Sequence, residues 1–313
     1  MPYNSIIDAD CADSLIPVEE ANEIIKVLPQ SSHVLSMAKR LPNMSSATKT
    51  MPVISSLPTA YFVTGRTGLK NTTEMCWTDK TITAEELAVI VPIPESVLAD
   101  SKYPIWSEVR PMLLEAFGIA IDAAILIGTN APASWPTDIL AGAAAAANAV
   151  TLGTGADIYE DVMAETGVIG LVENDGYLPT GHLALAEMRG RLRNLRDENG
   201  GLIFTSSMQG VSDYAIDGQP MQFVRNGAFA NTDAYMFSGD WSQLVYSIRQ
   251  DITWKLATEG VVQDGAGDIV YNLFQQDMVA LRATIRLGWQ LPNPINRMQE
   301  TEANRYPFGT LIP

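Results

Sequence analysis

Two long stretches of the chain alternate apolar and polar residues with a period of two. After the turn Ser238-Gly239-Asp240, the residues Leu244, Tyr246, Ile248, Ile252, Trp254 and Leu256 alternate with Ser247, Arg249, Asp251, Thr253 and Lys255. Further on, Val279, Leu281, Ala283, Ile285, Leu287, Trp289 and Leu291 alternate with Arg282, Thr284, Arg286 and Gln290. Successive side chains of a strand point to opposite faces, so both stretches predict long antiparallel strands with one buried face. A weaker strand is expected between them, around Asp268 to Phe274.

From Pro104 the spacing changes to helical. Ile105, Val109, Met112, Ala116, Ala120, Ala123 and Ile127 recur every three or four residues, with Ser107, Glu108, Glu115 and Asp122 on the polar side. Pro104 suits a helix start and Gly128 a helix stop, which predicts a single helix roughly 35 Å long. Between residues 130 and 238 the pattern is mixed. One helix is expected from Asp157 to about Glu165, and another from His182 to Arg196 with Leu185, Met188, Leu192 and Leu195 on one face. Short strands are expected at Gly201 to Thr205 and Gln222 to Val224.

The first 94 residues are less self-sufficient. Residues 1–50 read as an arm with short helices at Val18 to Leu28 and Ser31 to Arg40, the first stopped by Pro29. Residues 51–94 read as an extended hairpin. Tyr61, Phe62 and Val63 lead to a polar tip, Gly65-Arg66-Thr67-Gly68, and Trp77 and then Thr81 to Val91 return. Neither segment has enough apolar surface to stand alone, and an isolated hairpin is marginal in water. The class is α+β.

Composition narrows what such a chain can do. It has 313 residues, 47% hydrophobic, with a formal net charge of −16. That apolar fraction excludes wholesale disorder, and the charge argues against a broad basic grip on nucleic acid. Two cysteines, Cys11 and Cys76, stand far apart in no metal-ligand spacing, which fits a reducing compartment. The acidic N-terminus lacks the plan of a signal peptide, and no apolar run is long enough to span a membrane.

Catalytic motifs are missing from the sequence. There is no Gly-x-Ser-x-Gly elbow, phosphate loop, His-Glu-x-x-His or Cys-x-x-Cys pair. Gly153-Thr154-Gly155 begins like a dinucleotide fingerprint but lacks the third glycine and a buried strand before it. Asp157, Asp161 and Glu165, with Glu160 beside them, share a helix face on which a hard cation is conceivable. A solvated face with acids suited to the helix dipole is the favoured reading. The only histidines, His33 and His182, read as structural. Arg189, Arg193 and Arg196 share a face opposite the leucines, either as plain helix surface or as a clamp for a neighbour's carboxylates or a phosphate. The Arg249/Asp251/Lys255 and Arg282/Arg286 rows would pair across strands if those strands share a sheet.

The order of parts carries a resemblance. An arm, a long hairpin, a spine helix, a central α+β module and long closing strands resemble the tailed-bacteriophage major capsid proteins of the Hong Kong 97 type. Four stretches agree locally: ITAEELAVIVPIPESVLADS before the spine helix, YLPTGHLALAEMRGRLRNLRDENGGLIF in the centre, SGDWSQLVYSIRQDITWKL at a strand entry, and MVALRATIRLGWQLPNP at the close. The resemblance implies an arm over residues 1–50, an extended hairpin over 51–94 and a peripheral domain with the spine helix over 95–129. It further implies an axial domain over 130–238, peripheral long strands over 239–291 and a C-terminal segment over 292–313.

The resemblance also implies a non-enzymatic subunit that assembles with itself, as pentamers and hexamers, into an icosahedral shell around double-stranded DNA. No cofactor, metal or membrane is expected. A separate scaffold protein, a portal and a decoration protein are the partners implied, with assembly in the host bacterial cytoplasm and residence in the virion. Intersubunit contacts are expected at Arg66, Lys70, Glu74, Trp77, Arg189, Arg193, Arg196, Arg249, Asp251, Arg282 and Arg286. Some relatives cross-link a hairpin lysine to a peripheral asparagine; Lys70, Lys80, Asn293 and Asn296 stand in those regions, and no pattern assigns the reaction to them. The alternatives are an encapsulin-type cellular shell holding cargo enzymes, and a metal-dependent enzyme built on the acidic helix face.

Overall fold

The computed structural model describes residues 32–63, 68–100, 105–195 and 214–313, without the side chains of residues 107 and 108. The expected arm helix at 18–28, the hairpin tip at 64–67, the strand at 201–205 and Arg196 lie outside the described residues. In chain order the helices are α1 (His33–Met37), α2 (Glu95–Asp100), α3 (Ile105–Ile127), α4 (Ile139–Ala145), α5 (Ile158–Met163), α6 (Val168–Asn174) and α7 (Ala186–Arg193). The first strands are β1 (Lys39–Arg40), β2 (Thr48–Ser56), β3 (Cys76–Thr83), β4 (Glu85–Pro94), β5 (Ala149–Thr151), β6 (Gly181–Leu185) and β7 (Ala215–Ile216). They are followed by β8 (Gln219–Val224), β9 (Met236–Gly239), β10 (Val245–Ala257), β11 (Val261–Gln263), β12 (Ile269–Asn272), β13 (Met278–Gln290) and β14 (Phe308–Ile312).

The alternating stretches become β10 and β13, thirteen residues each, antiparallel at the centre of a four-stranded sheet ordered β1-β10-β13-β4. Their pairing shifts register between Ile248 and Gln250 and again between Gln250 and Thr253. The two shifts restore the alternation, so Ile248 and Ile252 both remain buried. The expected weak strand is β12, in a two-stranded ribbon with β11. The expected return strand is split. Residues up to Thr83 stay with β2 as β3, while β4 leaves the hairpin to pair with β13. The break falls at Ala84, whose N–H donates to Ala47 O at 2.8 Å.

Helix α3 has the predicted span of 23 residues, but its buried face differs from the predicted stripe. Leu113, Leu114, Phe117, Ile121, Ile125 and Leu126 are buried, together with Ile105 and Val109 of the predicted set. Met112 is 65% exposed and Ala116 is exposed, with Ala120, Ala123 and Ile127 half-buried. Both stripes satisfy helical spacing; the larger side chains take the core because they remove more apolar surface from water. The helix ends at Gly128, where φ is +68° and a side chain would meet the Asp138 carboxylate.

The central module is a six-stranded mixed sheet ordered β5-β14-β9-β6-β8-β7. The C-terminal strand β14 lies inside it, parallel to β5 and antiparallel to β9, so residues 308–312 complete a sheet otherwise built from residues 149–239. The helix expected from His182 begins instead as strand β6, and α7 starts at Ala186. His182-Leu183-Ala184 is fully buried between two neighbouring strands, which no helix surface would provide. One continuous apolar core joins the two sheets, with Phe117 and Ile121 of α3, Ile285 and Trp289 of β13, and Leu183, Phe237 and Phe308 of the central sheet.

Candidate intersubunit surfaces

The acidic helix face proves to be a loop clasp. Asp157 caps α5, its carboxylate accepting the N–H groups of Tyr159 and Glu160. Asp161 is buried rather than solvated, and it accepts from Gly153 N at 2.7 Å and Gly155 N at 2.6 Å. Glu160 accepts from Ala156 N at 2.9 Å. The Gly153-Thr154-Gly155 turn is thus held by carboxylates, the opposite of a phosphate cradle. Among the described residues no group of three or more His, Cys, Asp or Glu side chains could hold a metal ion.

His182 is fully buried, with Nδ1 at 2.9 Å from the Ser238 hydroxyl and Nε2 at 3.1 Å from Ile216 O. Burial pushes its pKa below the usual histidine value. It fastens β6 to β9 and to β7. The entry motif Gly239-Asp240-Trp241-Ser242 has an equally structural explanation. Asp240 accepts the Ser242 N–H at 3.0 Å to cap a short 3-10 turn, and Trp241, 1% exposed, donates Nε1–H to Gly181 O at 3.0 Å.

Three nodes escaped sequence reasoning: those at Asp122 and Asp175 join residues far apart in the chain, and that at Arg305 gathers loop groups 5 to 12 residues away. Asp122 of α3 is buried and accepts from the Ser32 hydroxyl at 2.5 Å, His33 N at 2.9 Å and Val34 N at 3.2 Å. It ties residues 32–34 to α3; burial raises its pKa against the pull of these bonds. Arg305 is buried and donates to Asn293 Oδ1, Gln299 O, Glu300 O and Asn293 O. Asp175 accepts from Asn148 at 2.7 Å and from Tyr306 N at 2.9 Å. The sequence pattern put Asp122 on the polar side of α3; the structure instead buries it, because the Ser32 hydroxyl and two backbone N–H groups satisfy its carboxylate.

The predicted contact residues fall into three groups. Arg189 stacks on Tyr214, its guanidinium carbon 4.6 Å from the ring centroid, and Arg193 Nε donates to Arg189 O at 3.3 Å. Both make these contacts within the subunit while remaining exposed. On the hairpin, Lys70 is exposed, Trp77 is 60% exposed, and Glu74 accepts from the Cys76 thiol at 3.3 Å, a bond that pushes the thiol pKa up. Arg66 lies outside the described residues. Phe62 is 103% exposed and Leu69 is 88% exposed, with Tyr61 and Met75 also exposed. Among the described residues no neighbouring element covers them. Of the cross-linking candidates, Lys80 pairs with Glu302 at 2.6 Å, and both asparagine side chains are occupied by hydrogen bonds inside the subunit.

The third group is the outer face of the four-stranded sheet. The cross-strand neutralisation expected from Asp251 does not form; register places Lys255 directly opposite Arg282 and Gln250 opposite Arg286. Arg286 approaches Glu86 of β4 at 4.0 Å. That contact and Lys80–Glu302 are the ion pairs among the described residues. On the other side of the sheet, the outward stripe of α3 with Trp135 and Phe229 lines an apolar groove of about 650 Å³.

These surfaces belong to an arrangement found in other proteins. Residues 12–296 match the Phage capsid family. The chain belongs to that family. It is 28% identical over 281 residues to the "Major capsid protein" of Staphylococcus phage 80alpha, covering 88% of this chain and 81% of that one. A solved chain from Microbacterium phage Oxtober96 superposes with a TM-score of 0.79 at 34% identity, covering 96% of this chain and 94% of the other. One from Mycobacterium phage Adephagia gives 0.76 at 30% identity, with 95% of each covered. The Hong Kong 97-type fold expected from the order of parts is the fold observed. The role is that of a phage major capsid protein, structural and shell-forming, and the encapsulin alternative is not favoured. No helix among the described residues is long and apolar enough to cross a membrane.

Proposed function

We propose that this capsid protein closes an icosahedral head of pentamers and hexamers around double-stranded DNA, acting without catalysis. The exposed hairpin carries the reading. Phe62 and Leu69 stand almost fully in solvent on an element with only Val53 and Ile82 buried among its described residues, which supports its being covered by other copies. The charge of −16 supports enclosure without grip, since an interior that is not strongly basic leaves packed DNA free to move.

A separate scaffold protein, a portal and a decoration protein complete the proposal, with assembly in the host bacterial cytoplasm. The test is electron microscopy of the purified full chain, alone and co-expressed with its phage's scaffold, followed by extraction of nucleic acid from virions. Closed shells, and DNA-filled heads in virions, are expected. A small monodisperse species under every condition would overturn the shell, and cargo protein in place of DNA would overturn the enclosure.

A further inference from the structure

The loop between β8 and β9 carries chemistry that a shell-forming role does not use. It opens with Arg225-Asn226-Gly227, an asparagine followed by a glycine. The same pair stands at Asn199-Gly200, outside the described residues. An asparagine side chain can be attacked by the backbone nitrogen of the next residue, closing a five-membered ring. A side chain on that next residue hinders the attack, and glycine has none.

Three features of Asn226 favour the reaction. Its Nδ2 is buried and has no hydrogen-bond partner. The Nδ2 groups of Asn148, Asn174, Asn231, Asn293 and Asn296, by contrast, all donate within the subunit. No hydrogen bond therefore holds this nitrogen in place, and a buried donor without an acceptor is itself costly. Second, Asn226 Oδ1 accepts the Ala228 N–H at 3.2 Å. That donor sits on the oxygen where negative charge collects as the carbonyl carbon is attacked. Third, Gly227 lies at φ +75°, with open space where a side chain would be. Its N–H donates to no group among the described residues, so the nucleophile is unencumbered. Asn226 also borders a cavity of about 370 Å³ lined by His33, Glu115, Phe223 and Arg225, which gives water access to the loop.

We infer that Asn226 is a self-modification site, at which the Gly227 nitrogen of the folded subunit attacks Asn226 Cγ and the side-chain amide leaves as ammonia. The N–Cγ bond forms, the Cγ–Nδ2 bond breaks, and the Gly227 proton passes through solvent to the departing nitrogen. Water then opens the ring at either carbonyl carbon. One opening gives aspartate; the other gives isoaspartate, whose backbone runs through the former side chain. Water is the sole co-reactant. Each modified chain gains one negative charge beside Arg225. The isoaspartyl form also inserts a carbon into the backbone just before Ala228 and Phe229, both buried in the core. The reaction needs only the folded chain, so it stands or falls apart from the shell.

The test is peptide mapping of the purified full-length protein and of its particles, aged for weeks in neutral buffer made with oxygen-18 water. The label separates conversion during ageing from conversion during digestion. Cleavage after Arg225 and Arg249 releases residues 226–249, in which Asn231 is an internal reference, since it precedes Thr232 and its Nδ2 is held by Glu187. Labelled aspartate and isoaspartate are expected at position 226, with Asn231 unchanged. Gly227→Ala should slow the conversion about tenfold or more, because the added Cβ crowds the nucleophile and resists a positive φ. Asn226→Gln, which would need a six-membered ring, should give no labelled product.

The parent protein alone keeps the test decisive if either variant fails to fold. Asn226 unchanged after ageing, or converted no faster than Asn231, would overturn the inference. Aspartate without isoaspartate would overturn the Gly227 route in favour of direct hydrolysis. Conversion only in urea-unfolded protein would overturn it as well, because the folded loop would then forbid the attack.

Discussion

The central sheet and the β2–β3 hairpin use the same kinds of residue to opposite ends. In the sheet, Leu183, Met236, Phe237, Phe308 and Leu311 are sealed between strands and helices, and the buried polar residue His182 has partners on both ring nitrogens. In the hairpin, Phe62, Leu69 and Trp77 face water, and among its described residues only Val53 and Ile82 are buried, close to the body. The first region is stable by what one chain contains. The second is an element whose apolar surface is completed only by other chains, so its residues contribute little to the free subunit and much to the shell.

The sharpest way to break this division is to truncate one aromatic in each region. Phe237→Ala should lower subunit stability by about 3–5 kcal/mol, because the cavity lies among packed neighbours including Phe229. Phe62→Ala should change it by less than about 0.5 kcal/mol while greatly reducing particle yield. Denaturant unfolding of free subunits, paired with particle counts by electron microscopy, checks both. Equal destabilisation by the two would dissolve the distinction.

Next in size is the clasp on the Gly153–Gly155 turn. Asp161→Ala should cost about 1–2 kcal/mol, since it removes the acceptor of two partly buried N–H donors. A variant as stable as the parent would return Asp161 to the solvated face first expected for it.

A smaller, pH-dependent effect comes from His182. Its pKa is depressed in the folded state, so the stability tied to its neutral form is complete above about 6.5 and is lost as pH falls below that value. The slope should approach 1.4 kcal/mol per pH unit. Asp122 has the opposite sign: its raised pKa makes the folded state gain relative stability as pH drops toward the ordinary carboxylate range. Urea midpoints between pH 7.5 and 5 should therefore fall in the parent and fall less in His182→Gln. Parallel curves would remove His182 from the acid response. The smallest effect is expected from Lys80→Ala, at most about 1 kcal/mol for a partly exposed pair.

What could be read in the sequence follows from how local each signal was. The thirteen-residue strands and the 23-residue helix announce themselves by period alone, and the order of parts announced the family. The buried face of α3 did not, because Met112, Ala116 and Ala120 satisfy helical spacing as well as Leu113, Phe117 and Ile121 do. His182 was assigned to a helix because Leu185, Met188 and Leu192 continue a helical period across the strand-to-helix junction. Asp122 and Asp175 bind partners 27 to 131 residues away, and Arg305 gathers loop groups 5 to 12 residues away that no periodic pattern marks. The outer face of the four-stranded sheet was half legible: its arginines were marked, but the pairing of Lys255 with Arg282 depends on a register that two irregularities set.

The most direct measurement is a cryo-electron microscopy map of the assembled head at side-chain resolution. Phe62, Leu69 and Trp77 are expected to be buried against other copies, with the central sheet unchanged from the free subunit. Those three side chains standing in solvent in the closed shell would contradict the division between a self-sufficient sheet and a hairpin that neighbours complete.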